Sequence, residues 1–154
     1  MGSAAQVRVN METMQEDGST RPAGGTLETF EVPTGPGVRV DTFGYRGYTT
    51  SPAFDSLLAK VIVHEESGDL PRLLARTDRA LREFRIDGVP TNLPFLRSLM
   101  RSEPVRQNHI YTRFEEDNVI DLVRVAPEPA AAFTTPPPNL DGRAAPGRAG
   151  HALD

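Results

Sequence analysis

The sequence contains no cysteine and no tryptophan, and only one of its 17 basic residues, Lys60, is a lysine. Without cysteine, disulfide bonds and thiolate chemistry are excluded. The 3 histidines, His64, His109 and His151, do not have the His-x-x-x-His spacing of a helical metal site, so we expect no metal bound by imidazoles. Any chemistry that requires a lysine would have to use Lys60.

Basic charge and long apolar runs are also scarce. The 154 residues carry a formal net charge of -4, whereas nucleic-acid and anionic-membrane surfaces ordinarily require a basic excess. No apolar stretch approaches the roughly 20 residues that a membrane-spanning helix needs, and no apolar leader follows Met1. We therefore expect a cytoplasmic protein without a nucleic-acid or membrane partner, and the length predicts one domain.

Arg8 lies in a segment of alternating polar and apolar residues. In Ala4–Asn10, Val7 and Val9 point to one face of a predicted strand and Arg8 points to the other. An exposed arginine in such a position typically makes a cross-strand ion pair. Alternatively, a guanidinium fixed on a strand presents a rigid fork of donors, which suits a carboxylate, a bicarbonate or a developing enolate oxygen.

The segment Tyr45–His64 combines an apolar run with polar residues just before it. The β-branched run Val61–Val63 predicts a strand buried on both faces, and Asp55, Ser56 and Lys60 precede it. Polar groups at the mouth of such a strand can be held rigidly, as a reactive site requires. The simpler alternative is a turn that leads into a core strand.

The other predicted strands are short and separated by turns. Gly24 and Gly25 precede a strand rather than a helix, so they do not form a phosphate-binding loop. The pattern predicts a loop at Met11–Gly25, strands at Thr26–Val32 and Val38–Asp41, and an irregular strand with packed aromatic side chains at Tyr45–Tyr48.

A first helix is predicted at Leu70–Phe84, where the apolar residues fall on one helical stripe. Asp69 stands at its entry and Gly88 lies beyond its end. The opposite face carries a row of arginines with interleaved acids, which we interpret as a solvated face rather than a nucleic-acid surface. The row consists of Arg72, Arg76, Arg79 and Arg82, and the acids are Asp69, Asp78 and Glu83.

Two more helices and a tail complete the chain. Helices are predicted at Leu93–Met100, with Asn92 or Thr91 as N-cap, and at Tyr111–Leu122, starting near Thr112. Strands followed by helices predict an α+β fold, an antiparallel β-sheet with a few helices, over residues 1–123. The Ala/Pro-rich composition of residues 124–154 predicts a disordered linker.

Six blocks of the sequence occur in an order that resembles one protein family. The blocks are Ala5–Asn10, Pro22–Thr26, Gly35–Arg39, Gly44–Thr49, Phe54–Val63 and Phe84–Asn92. Together they resemble the C-terminal domain of biotin carboxylases over residues 4–122. The chain looks most similar to biotin carboxylase regions of multidomain acyl-CoA carboxylases, enzymes of fatty acid metabolism in which a linker of this composition leads to a biotin carrier domain.

The resemblance implies a ligase reaction in which ATP activates bicarbonate and the ureido nitrogen of carrier-bound biotin is carboxylated. The family's arginine that contacts bicarbonate and the biotin ureido oxygen matches Arg8, which becomes the candidate catalytic and substrate-binding residue. Asp55 is a second substrate-site candidate, which either pairs with Arg8 or only caps a turn. Arg39 matches a dimer-contact position, although Pro36 replaces an aromatic residue nearby. Lys60 does not match the biotin-bearing lysine, which the family flanks with methionines.

The parts of the family that bind ATP have no counterpart in these 154 residues. The resemblance places a glycine-rich lid, phosphate-binding lysines and a Glu-x-Asn-x-Arg segment for Mg or Mn in an upstream ATP-grasp domain. We therefore expect a truncated chain that binds no ATP or metal and is inactive alone. The expected partners are that domain, the biotin carboxyl carrier domain and a carboxyltransferase, and a homo-oligomer is compatible with the pattern. The alternative is a non-catalytic module that docks on a carboxylase or on a carrier domain.

Overall fold

The computed structural model of the protein describes residues 2–124. Within this range the chain forms nine strands and four helices, and all strands but one precede the helices. The strands are β1 (Ser3–Asn10), β2 (Glu12–Met14), β3 (Thr20–Pro22), β4 (Gly25–Thr26), β5 (Thr29–Glu31), β6 (Val38–Thr42), β7 (Thr49–Thr50), β8 (Leu57–Glu65) and β9 (Arg85–Asp87). The helices are α1 (Leu70–Glu83), α2 (Leu93–Arg101), α3 (Glu103–Arg106) and α4 (Phe114–Arg124), and β9 lies between α1 and α2. All strand pairs are antiparallel, so the α+β prediction is confirmed.

The largest sheet has three strands in the order β1-β8-β6. Because side chains alternate across a pleated sheet, its inner face carries apolar residues such as Val9 and Val61, both fully buried. Ile62 and His64 point to the outer face, where Ile62 is half-buried and His64 is exposed. The prediction that β8 is buried on both faces is therefore wrong for the described chain, since a β-branched run of three residues places only one of them on the second face.

Helix α1 covers the inner face of this sheet. Its apolar stripe, which includes Leu73, Leu74 and Leu81, is buried against β1 and β8, as the 3.6-residue period predicts. Asp69 is the N-cap, and its side chain accepts a hydrogen bond from the backbone nitrogen of Arg72. Both the helix and its cap are confirmed.

The arginine face of α1 is mostly exposed, but one of its acids is not. Asp78 is buried and contacts two arginines of α2, with its Oδ1 3.3 Å from Arg97 Nε and its Oδ2 3.0 Å from Arg101 Nε. Asp78 therefore belongs to the α1–α2 interface and not to the solvated face, which is where the interleaved charge pattern placed it. A charge repeat does not show which acid faces a neighbouring helix.

The predictions for the segments between β1 and β6 need two corrections. Residues 11–25 contain the β2–β3 hairpin rather than a simple loop, and the exposed, polar β3 strand gives no periodic apolar signal. The predicted strand at residues 26–32 is broken, because Leu27 N donates to Tyr48 O whereas Glu28 N donates to Asp87 O. The chain thus changes partner strand between Leu27 and Glu28.

The predicted aromatic packing is correct for one tyrosine. Tyr48 packs against a second buried cluster that includes Met11, Leu27 and Leu58. Tyr45 is 61% exposed and touches Tyr48 edge to face.

The last helices also differ from prediction at their ends. The short helix α3 was not predicted, and α4 begins at Phe114, two residues beyond the expected start. Asn92 is the N-cap of α2 by position, but its side chain does not cap the helix. The predicted linker, apart from Arg124 at the end of α4, lies outside the described residues.

Candidate functional site

Arg8 lies on the outer face of β1, opposite Lys60 of β8. The neighbouring Val9 is fully buried, so the strand cannot rotate without removing Val9 from the core. The Arg8 side chain is 54% exposed. The strand therefore presents a guanidinium to solvent from a backbone that the core holds in place, as the alternation of the segment predicts.

Asp55 approaches Arg8 from the turn before β8 and combines the two roles that the sequence left open. Its Oδ2 is 3.9 Å from Arg8 Nη2, while its Oδ1 accepts a hydrogen bond of 3.0 Å from the backbone nitrogen of Leu57. The turn cap is the shorter contact, and an exposed ion pair at nearly 4 Å adds little stability. Asp55 thus fixes the turn and leaves Arg8 free to bind another anionic or polar oxygen.

Asn92 is the residue of this site that sequence reasoning missed. Its Nδ2 donates to the backbone oxygen of Arg8 at 3.2 Å, and its Oδ1 accepts from the backbone nitrogen of Asn10 at 2.9 Å. The position before a predicted helix made Asn92 look like an N-cap. Only the three-dimensional pairing of residues more than 80 positions apart shows that it binds β1 instead.

Arg39 lies at the other side of the sheet, on β6. It binds Asp41 of the same strand through two hydrogen bonds of 2.9 and 3.2 Å, and this contact raises the pKa of Arg39. β8 separates β6 from β1, so the structure places Arg8, Lys60 and Asp55 near one another and Arg39 apart from them. Its assignment as a dimer contact stays a prediction.

Exposed aromatic side chains occur at the end of the sheet where β6 ends and β8 begins. Phe43, Tyr45 and Phe54 are 51%, 61% and 80% exposed, and Phe54 directly precedes Asp55. An Arg–Asp pair beside exposed rings can bind a ligand with both a polar oxygen and an apolar body. Within residues 2–124, no three histidine, cysteine or acidic side chains lie close enough together to bind a metal ion.

No helix among the described residues is long and apolar enough to cross a membrane.

Comparison with known proteins shows the family of the chain. The family model described as "Biotin carboxylase C-terminal domain" matches residues 6–117. The chain belongs to the biotin carboxylase C-terminal domain family. The match includes Arg8, Arg39, Asp55 and Asn92, and it confirms the family resemblance that the six sequence blocks indicate.

Curated members of the family that resemble the chain include both free-standing and multidomain carboxylases. Biotin carboxylase 1 of Bacillus subtilis is 36% identical over 115 residues, which are 75% of this chain and 25% of that protein. Mitochondrial pyruvate carboxylase of Mus musculus is 37% identical over 118 residues, which are 76% of this chain and 10% of that protein. The chain thus spans a quarter or less of the length of these relatives.

Solved structures confirm the fold of the biotin carboxylase C-terminal domain. A biotin carboxylase domain of a single-chain bacterial carboxylase has a TM-score of 0.71 and 45% identity, covering 79% of this chain and 26% of that one. A single-chain, multi-domain long-chain acyl-CoA carboxylase has a TM-score of 0.76 and 41% identity, covering 85% of this chain and 14% of that one.

Proposed function

We propose that this chain is the C-terminal portion of a biotin carboxylase and that it contributes Arg8 to the site where carrier-bound biotin is carboxylated from ATP and bicarbonate. The observation that carries the proposal is the position of Arg8 in the family domain. Its backbone is fixed by the sheet, and its guanidinium is half-exposed beside Asp55. A fixed cation of this kind stabilises charge that develops during a reaction more than it stabilises a neutral ground state.

The residues present fit biotin and bicarbonate. When bound, biotin would offer the ureido nitrogen that receives the carboxyl group. Arg8 would donate hydrogen bonds to bicarbonate and to the ureido oxygen, where negative charge increases as the nitrogen becomes nucleophilic. Asp55 would keep a negative charge beside the Arg8 guanidinium without occupying its donors, since the turn holds its carboxylate 3.9 Å away.

The same residues do not fit ATP and its metal ion. Residues 2–124 contain no cluster of three metal-ligating side chains, and the chain has a single lysine, which lies on a strand beside Arg8. The proposal therefore includes an upstream ATP-grasp domain that binds ATP with Mg or Mn, together with a biotin carboxyl carrier domain and a carboxyltransferase. We further propose that the chain is truncated and is inactive by itself.

The finer assignment is an acyl-CoA carboxylase, and hence a cytoplasmic role in fatty acid metabolism. Support comes from the long-chain acyl-CoA carboxylase structure at 41% identity. Mitochondrial pyruvate carboxylase of Mus musculus is similar at 37% identity over 118 residues, so the C-terminal domain by itself does not distinguish the final carboxyl acceptor. The dimer contact proposed for Arg39 is compatible with its exposed position on β6, which is an edge strand of the sheet.

A chimeric enzyme tests the proposal. The full 154-residue chain replaces the matching C-terminal segment of Bacillus subtilis biotin carboxylase 1, and the host without that segment is the control. We expect the chimera to cleave ATP in a manner that depends on both biotin and bicarbonate, whereas the control and the isolated chain do not. A chimera that circular dichroism shows to be folded, but that cleaves no more ATP than the control, would contradict the proposal.

A further inference from the structure

We propose that Asn92 is a positioning residue that sets the geometry of Arg8 by pairing with the free edge of β1. This inference rests on the proposed function of Arg8. It concerns a residue that is buried, with 6% exposure, between β1 and the start of α2.

Strand β1 is the first strand of its sheet, and among the described residues β8 is the only strand that pairs with it. The backbone groups on its opposite edge, at the end where Arg8 lies, therefore need partners other than a strand of residues 2–124. Asn92 pairs with that edge through three hydrogen bonds. Its Nδ2 donates to Arg8 O at 3.2 Å, its Oδ1 accepts from Asn10 N at 2.9 Å, and its own backbone nitrogen donates to Asn10 O at 3.1 Å.

The side-chain amide of Asn92 acts here as a substitute for the peptide group of a further strand. It offers one donor and one acceptor, as a backbone peptide does. Alanine offers neither, and aspartate would offer only acceptors. Because the group is buried, water does not readily replace the lost bonds. The position thus requires an amide of this length.

Glu12 determines which end of the amide faces Arg8. Its Oε1 accepts from Asn92 Nδ2 at 3.3 Å and from Asn10 Nδ2 at 3.2 Å. A carboxylate accepts hydrogen bonds and does not donate them, so it keeps the Asn92 nitrogen on the side of the Arg8 carbonyl. Glu12, Asn10 and Asn92 therefore form one polar cluster around the backbone end of the site.

The cluster occurs where the pairing of β1 with β8 becomes irregular. The register between the two strands shifts between Val9 and Asn10, one residue beyond Arg8. At such a shift the ladder constrains the backbone less than it does in a regular sheet. Asn92 adds a second set of bonds on the other edge, and the direction of the Arg8 side chain depends on the backbone that these bonds hold.

The test uses a substitution that removes one donor, together with a second variant that separates this loss from charge repulsion. In Asn92→Asp, an oxygen replaces the Nδ2 donor and faces both the Arg8 carbonyl and the Glu12 carboxylate. Adding Glu12→Gln removes the repulsion between the two carboxylates but gives the Arg8 carbonyl no donor, because the side chain at position 12 contacts the amides of Asn92 and Asn10 and not that carbonyl. The matched control is Asn118→Asp, which makes the same chemical change where the Nδ2 donates to Phe114 O at 2.8 Å in α4, away from β1.

Two readouts are measured, both on full chains. In the chimera, we expect Asn92→Asp to lower kcat per folded molecule by about ten- to hundredfold, with the KM for ATP unchanged, because a small misplacement of a catalytic group is enough for such a loss. The double variant should recover only a small part of the rate, because the Arg8 carbonyl still lacks its donor, and Asn118→Asp should keep the rate. In the isolated 154-residue chain, the Arg8 Nε–H resonance, identified by its loss in Arg8→Lys, should move in Asn92→Asp, remain shifted in the double variant and stay in place in Asn118→Asp.

An unchanged kcat and an unchanged Arg8 resonance in Asn92→Asp would overturn the inference, as would an equal loss of kcat in Asn118→Asp. Failure of the proposed function is recognised separately. If Arg8→Ala keeps the rate of the chimera, Arg8 is not catalytic, and the resonance still decides whether Asn92 positions it.

Discussion

The ion pairs of this domain differ mainly in how deeply they are buried. Both side chains of the Arg8–Asp55 pair are exposed, and its position suits ligand binding rather than stability. The pair of Glu65 with Arg76 is different, since the Glu65 side chain is 7% exposed and its Oε2 lies 2.9 Å from Arg76 Nη1. Arg76 also donates to Pro36 O at 2.8 Å, so the pair connects β8, α1 and the turn before β6.

The Glu65 contact predicts a specific dependence of stability on pH. The hydrogen bond from Arg76, followed by that from the backbone of Ser67, lowers the pKa of Glu65 from 4.5 to about 2. A lowered pKa in the folded state means that the ionised carboxylate stabilises the fold above its ordinary pKa of 4.5, and that this contribution is lost as the pH falls towards about 2.

Urea denaturation of Glu65→Gln tests this prediction. We expect the variant to be less stable than the wild type above about pH 5 and the difference to diminish as the pH approaches about 2. Glu66→Gln, at the exposed neighbouring position, is the control and should differ little from the wild type at any pH. A Glu65→Gln difference that stays constant from neutral to acid pH would show that this carboxylate does not gain its contact in the ionised form.

At the residue scale, the sequence predicts the exposed half of the candidate site but not its buried half. The alternation around Arg8 predicts which face of the strand it occupies. The turn residue Asp55 makes both of its proposed contacts, the ion pair with Arg8 and the cap of the turn. Asn92 could not be predicted in its role, because its partners Arg8 and Asn10 are more than 80 residues away and no periodicity links them. Local sequence patterns indicate which face of an element a residue occupies and which residue caps a helix. Pairing with a sheet edge depends on tertiary structure instead.

At the scale of elements, the contact between α1 and α2 depends on a buried carboxylate. The side chains of Asp78 and Arg97 are 12% and 8% exposed, and Arg101 completes the cluster. Removing one partner of a buried ion pair leaves the other charge in a poorly hydrated place. The domain therefore depends on Asp78 far more than on an exposed acid of the same helix.

A pair of isosteric substitutions checks this contact. We expect Asp78→Asn to lower the free energy of unfolding by about 3 kcal/mol. Glu83→Gln, which removes the same charge from the exposed pair with Arg79, should lower it by less than about 1 kcal/mol. Equal losses in the two variants, measured by urea denaturation, would contradict the assignment of Asp78 to the interface.

The junction between β4 and β9 depends on close backbone approach at Gly88. Gly88 and Gly47 have nearly the same left-handed φ, 90° and 89°. A Cβ at Gly88 would lie 2.0 Å from the backbone oxygen of Thr26, whereas nothing lies within 4 Å of a Cβ at Gly47. The two positions thus separate the effect of φ from the effect of contact.

Alanine at each glycine measures the two effects. Gly47→Ala should lower the free energy of unfolding by about 1–2 kcal/mol, which is the strain of a left-handed residue with a side chain. Gly88→Ala should lower it by roughly 3 kcal/mol or more, because the added methyl group also displaces the backbone at Thr26. If thermal or urea denaturation gave the same loss for both, the close approach at Gly88 would be contradicted.

Long elements with a strong period were predictable, and short ones that depend on partners were not. Helix α1 has both a regular apolar stripe and an N-cap, and its bounds match the prediction within one residue. The β2–β3 hairpin and the four-residue helix α3 bury few side chains, so their sequences lack an apolar period. The break after Leu27 arises because two different strands bind consecutive residues, which a local pattern does not encode.

At the scale of the whole molecule, the core residues and the candidate site residues lie on opposite faces of the sheet. Its inner face, covered by α1, contains the fully buried core residues Val9, Val61 and Val63, while the outer face presents Arg8 on β1 and Arg39 on β6. Substitutions on the inner face should therefore act on folding, and substitutions of exposed residues on the outer face should act on catalysis or association. We therefore expect Arg8 to contribute to catalysis without contributing to the fold.

The most direct test of that claim is the rate of biotin-dependent ATP cleavage by the chimera carrying Arg8→Ala. Arg21→Ala, at an exposed arginine of the β3 strand, is the matched control. We expect Arg8→Ala to lower kcat by about a hundredfold or more with an unchanged melting temperature, because a donor to developing charge is lost, and we expect Arg21→Ala to keep the wild-type rate. A folded Arg8→Ala chimera that cleaves ATP as fast as the Arg21→Ala control would contradict it.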